Sequence, residues 1–137
     1  MTNRAIVSYL RAQANNYNKF VADWEKKALP SELEKMPTDE LEDVEKLVNR
    51  KSDQFYDEVE RKVYEMIEKF LFDLDFDVLC SYVACIGRKL DKLQTVFLNE
   101  LLRRERIEIE AMMKEMSKMN AEHARVMRQY QNDDDLR

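Results

Sequence analysis

Few residues in this chain have types and spacing that can do chemistry. Asp73, Asp75 and Asp77 alternate like the opening of a calcium-binding loop. Such a loop needs glycine at its sixth position and glutamate at its twelfth. Val78 and Ala84 stand there, so the three aspartates read as helix-start residues and no calcium is expected. His123 is the only histidine. A di-metal carboxylate site needs two Glu-x-x-His pairs, and position 120 is Asn. A zinc protease needs two histidines. His123 therefore reads as a polar member of a helix face, a residue type that can tune pairing near neutral pH.

Cys80 and Cys85 are spaced C-x4-C inside an apolar run. That is neither a redox C-x-x-C nor half of a zinc site. Five positions apart on a helix, they face different ways. They read as buried thiols of a reducing compartment. Gly87 is the only glycine, so no glycine-rich loop is present to cradle phosphate. The expectation is a non-enzymatic chain with no catalytic residue, metal or cofactor.

Two features point to partners instead. Arg88, Lys89, Lys92, Arg103, Arg104 and Arg106 form the one basic stretch. It suits phosphate or an acidic partner, but Glu100, Glu105, Glu108 and Glu110 interleave with it. Such alternation usually marks a solvated, salt-bridged helix face, so nucleic acid is the alternative reading and not the expected partner. The second feature is a run of methionines: Met112, Met113, Met116, Met119 and Met127. Methionine is flexible and polarizable and suits surfaces that receive another chain.

These residues must be positioned by helices. The chain has 137 residues, one glycine and two prolines, with 37% charged and 45% apolar side chains. That is too apolar for disorder and too poor in turn residues for a many-stranded fold. The length fits one domain. The net charge is -5, which argues mildly against a general nucleic-acid binder. Residues 1–29 carry +3, residues 30–77 carry -9 and residues 78–137 carry +1. The acidic middle suits antiparallel packing beside less acidic neighbours. The longest uncharged stretch, Val78 to Gly87, is far short of the roughly 20 residues that span a membrane. An intracellular location, cytoplasmic or nuclear, is expected. Residues 1–22 hold Arg4, Arg11 and Lys19 and no acid, which resembles a mitochondrial presequence as well as an ordinary first helix; the second reading is preferred.

Apolar periodicity places three long helices. The first covers about Asn3 to Lys27, with Ile6, Val7, Leu10, Ala14, Tyr17, Phe20, Val21 and Trp24 on one face. Asn15, Asn16 and Asn18 are weak formers in its middle. Pro30 and Pro37 bracket a connection in which Ser31 and Glu34 have capping-box spacing. Thr38 is expected to cap the second helix, Asp39 to about Leu71. Its stripe is Leu41, Val44, Leu47, Val48, Phe55, Val59, Val63, Met66, Ile67 and Phe70; it thins at Arg50 to Asp53 and thickens afterwards, so the second half is expected to be the better buried. The segment Phe72 to Asp77 reads as a corner, with Asp75 or Asp77 capping the third helix.

From Val78 to about Tyr130 there is no proline. A continuous helix there would be roughly 75–80 Å long. Leu79, Val83, Ile86, Leu90, Leu93 and Phe97 step by four and three, a coiled-coil seam. A second register follows through Leu98, Leu102, Ile109, Met112, Met116, Met119, Val126 and Tyr130, with Glu105 and His123 as polar members. The shift resembles a stutter. The first two helices are too short to cover the third. The expected architecture is all-α, an antiparallel bundle of three long helices. Residues 1–102 form the bundle, with Trp24, Phe55, Val59, Phe70, Leu79, Val83 and Leu90 in its core. Residues 103–130 extend the last helix as a coiled-coil arm, and 131–137 form an acidic flexible tail. The expected function is a helical scaffold or adaptor subunit. It would bind another protein chain, its own copy or a different one, through Leu102, Ile109, Met112, Met113, Met116, Met119, Val126 and Tyr130.

Overall fold

A computed structural model describes residues 3–69 and 73–135, with side chains for 4–67, 69 and 73–132. The chain is all-α, with no strand among the described residues. In order it forms α1 (Asn3–Glu25), α2 (Pro30–Lys35), α3 (Thr38–Phe55), a π-helical turn (Tyr56–Glu60), α4 (Arg61–Met66), a 3-10 turn (Ile67–Lys69) and α5 (Leu74–Asp135). Two compact units result. The first ends at Leu101 and the second begins at Leu102.

In the first unit, the expected α1 stripe is the buried one. Val7, Leu10, Ala14, Tyr17 and Val21 are buried, and Ile6, Phe20 and Trp24 pack against them. The three asparagines do not interrupt the helix. Asn15 instead accepts a hydrogen bond from the Tyr82 hydroxyl at 2.7 Å. The contacts fix the topology. Tyr9 lies near Lys62, Tyr17 against Phe55 and Phe20 near Lys51, so α1 runs antiparallel to α3 and α4. Gln94 donates to Asn49 at 2.6 Å, while Gly87 lies beside Glu60, so α5 also runs antiparallel to them. Asn15 meets Tyr82 and Trp24 meets Phe97 edge-on at 6.2 Å, so α1 and α5 are parallel. Within this unit the three long helices form the expected antiparallel bundle.

The six seam residues Leu79, Val83, Ile86, Leu90, Leu93 and Phe97 are all buried, none exposing more than 3%. Among the described residues no polar side chain is buried, so the core is held by apolar burial, about 1.5–3 kcal/mol for each large side chain.

Three local expectations are corrected. Ser31 does not cap: the cap position of α2 is Leu29, with Pro30 as first helical residue and no side-chain cap hydrogen bond. Pro30 is pre-set for that place, because its φ is helical and its missing N–H is not needed. Thr38 is likewise the first residue of α3 and not its cap, a position taken by Pro37. Asp73, rather than Asp75 or Asp77, caps α5. Its Oδ1 accepts from the Phe76 amide at 3.2 Å, and its carbonyl from the Asp77 amide at 3.0 Å. Asp75 and Asp77 occupy the first turn, where the helix dipole favours anions.

The second helix differs from its expected form by the π-helical turn. Phe55, Val59 and Val63 recur in successive four-residue steps, and each step overshoots a 3.6-residue turn by about 40°. A wider turn absorbs the overshoot, and all three stay buried at 4% exposure or less. The second half is not the better buried one, since Leu41, Val44 and Val48 are as enclosed as Phe55, Val59 and Val63. Leu47 and Met66 are half-buried, and Ile67 is exposed. Phe70, expected in the core, lies outside the described residues, as does the Leu71–Phe72 part of the corner.

Gly87 does not end α5, which passes through it. It faces the π-helical turn instead: a β-carbon there would stand 2.8 Å from Glu60 Oε1 and 3.7 Å from Phe55 Cε1. Beside this close approach, burial and the nearby Asp91 raise the Glu60 carboxyl above its ordinary value. The Tyr17 hydroxyl donates to Glu58 Oε2. Burial first, then Glu58, holds that phenol far above its usual range.

The second unit is helical from Leu102 through Asp135, past Tyr130 and into the segment expected as a tail. Its sequence is rich in Glu, Lys, Met, Arg and Ala, all strong helix formers. Arg125 pairs with Glu122 at 3.6 Å, three residues apart on one face.

Candidate interaction surface

The residues singled out for partner binding lie on the second unit's helix. Leu102 and Ile109 are each 47% exposed, and Met112, Met113, Met116, Met119 and Tyr130 range from 59% to 64%. Val126 is half-buried. No described side chain of this unit is fully buried. Helical spacing brings Leu102, Ile109, Met112, Met116, Met119, Val126 and Tyr130 onto one side, because their steps of three, four and seven nearly match one or two helical turns. Met113 sits one position beside that line.

Two large apolar residues of the unit stand outside the expected partner-contact set. Met127, 51% exposed, is placed like Met113, fourteen positions later, and widens the stripe on the same flank. Its signal was the methionine run itself. Ile107, 51% exposed, is five positions from Leu102 and two from Ile109, off the stripe. Glu105 and His123 complete the line of the stripe, and both are exposed. Chemically, the surface can bury thioether and aliphatic groups against another helix. Its polar pair can exchange a hydrogen bond or charge across such a contact.

The basic residues do not gather as one patch within either unit. Arg88, Lys89 and Lys92 belong to the first unit and are exposed. Lys89 and Lys92 line a shallow cleft together with Glu25. Arg103, Arg104 and Arg106 belong to the second unit, with Arg104 half-buried. Both cysteines are free thiols and only half-buried, which corrects their expected burial. Burial, with help from Asp77, pushes the Cys80 thiol up, which leaves little reactive thiolate.

Among the described residues no cluster of three His, Cys, Asp or Glu side chains is arranged to hold a metal ion. No described helix is long and apolar enough to cross a membrane. Comparison with protein-family models, with curated proteins and with solved structures found no match to this chain.

Proposed function

We propose that this protein is a non-enzymatic helical subunit that works by coiled-coil association with another protein chain. The bundle of residues 3–101 serves as a folded body, and the helix from Leu102 to Tyr130 is the binding element. One observation carries the reading: the stripe of that helix keeps a three-and-four apolar spacing over some thirty residues, yet all of it stays exposed or half-exposed. A stripe with this period is the pattern of a coiled-coil seam. An apolar surface of this extent on one chain marks an interaction site. Two free, half-buried thiols fit an intracellular, reducing setting.

The test is the native mass of the full chain isolated from its cells, with the associated chains identified. The reading expects a complex heavier than one chain, lost when Ile109 and Met116 are both changed to Asp. A monomeric native chain, or a complex indifferent to those changes, would overturn it.

A further inference from the structure

The occupant of the stripe can be read from its two polar members. From Leu102 to Val126 the stripe has eight positions in steps of three and four. Any such run is its own mirror image, here centred on Lys114. What is particular to this chain is that Glu105 and His123 stand at mirrored places, each nine residues from the centre.

We propose that the stripe is covered by the same stripe of a second copy running antiparallel, with Glu105 of each chain opposite His123 of the other. This rests on the association reading above and names its partner. In that register Leu102 meets Val126, Ile109 meets Met119, and Met112 meets Met116, each contact occurring twice by the two-fold symmetry. Every apolar position then faces an apolar one. The carboxylate of Glu105 accepts a hydrogen bond from the imidazole of the second copy's His123, so both polar seam members are satisfied. A parallel pair in register would instead put Glu105 against Glu105 and His123 against His123. A shift of one heptad in the antiparallel pair would set each of them against methionine or another apolar residue, where an unpartnered polar group is costly.

The flanks agree on balance. The two-fold axis sets like flanks together. One flank carries Arg106, Met113, Asn120 and Met127, so Met113 meets its own counterpart and gains the cover it lacks in one chain, where it is 63% exposed. The other carries Glu108, Glu115 and Glu122, which repel. That repulsion is weak between solvated groups, and Glu122 is already held by Arg125 at 3.6 Å.

The test is sedimentation equilibrium of the full chain with three variants, and circular dichroism to show that helix content is kept. The native chain is expected to be a dimer. Glu105→Lys and His123→Glu are each expected to weaken it about tenfold, as buried like or unmatched charges do at contacting positions. The double variant, Glu105→Lys with His123→Glu, restores opposite charges in the antiparallel pair. It is expected to return within about threefold of the native constant. In a parallel pair the double variant stacks Lys on Lys and Glu on Glu, as many like-charge contacts as His123→Glu alone leaves there, and would stay as weak as that single change instead of recovering. That result, or a trimer or larger assembly, overturns the antiparallel dimer and leaves association standing. A native chain that stays monomeric at high micromolar concentration also overturns it. Whether a heavier complex from cells still depends on Ile109 and Met116 then decides the association reading separately.

Discussion

Changing Ile109 and Met116 to Asp probes the stripe without touching the bundle. Ile109 is 47% and Met116 59% exposed in the single chain. Full burial of such a side chain contributes about 1.5–3 kcal/mol, so covering the remaining part contributes about 0.7–1.8 kcal/mol at each position. Losing both costs about 1.6–3.2 kcal/mol of association. Two carboxylates that lose water in the interface add about 1–3 kcal/mol more. The total, about 3–6 kcal/mol, weakens binding at least about a hundredfold. The assay is the dissociation constant of the isolated complex by sedimentation or native mass spectrometry, with thermal unfolding followed in parallel. The bundle's melting temperature should hold, because neither side chain is buried within the chain. A constant unchanged within about threefold, or a bundle melting more than about 5 °C lower, would refute the reasoning. The second outcome would mean that the chain covers its own stripe.

Other positions test the fold that presents it. Gly87→Ala should be neutral to stabilising by up to about 1 kcal/mol in chemical denaturation, since alanine favours helix and only the mobile end of Glu60 must move from the new methyl. Gly87→Leu should instead cost about 1–3 kcal/mol by overpacking against Phe55. Glu60→Gln should raise the melting temperature at neutral pH by about 1–3 °C. The Glu60 carboxyl titrates above its unfolded value, so the folded state holds its proton more tightly. Its penalty grows as pH rises through the carboxylate range and is complete above the folded value, so the variant should also lose less stability across that range. Asp73→Ala should cost about 0.5–2 kcal/mol as the lost cap of α5, whereas Asp75→Ala should cost only the dipole contribution, about 0.3–1 kcal/mol.

The seam Leu79–Phe97 shows how far spacing carries. Its six residues lie on one side of any helix they form, and the core is the one place where that side can lose water, so pattern alone placed them. The α1 stripe was legible for the same reason. The π-helical turn left its signal in Phe55, Val59 and Val63, two successive four-residue steps without the usual three between them, but spacing alone does not turn that signal into a wider turn. Whether such a run leaves the core face or widens the helix depends on what packs against it, and here Tyr17 and Gly87 do. The caps misled because a side chain that can cap does so only where the chain enters the helix. Pro30 and Pro37 moved those entry points ahead of Ser31 and Thr38.

By itself the sequence determined the helices, their faces and the antiparallel bundle, because turn-formers are scarce and apolar period is a local property of the chain. It also placed an apolar stripe beyond Leu101. Only the tertiary structure decided that Gly87 serves a close approach, that both thiols are half-buried, and that the second unit's stripe is left open. Each of those depends on which surface meets which. Contacts between residues distant in the chain set that, and no local pattern records them.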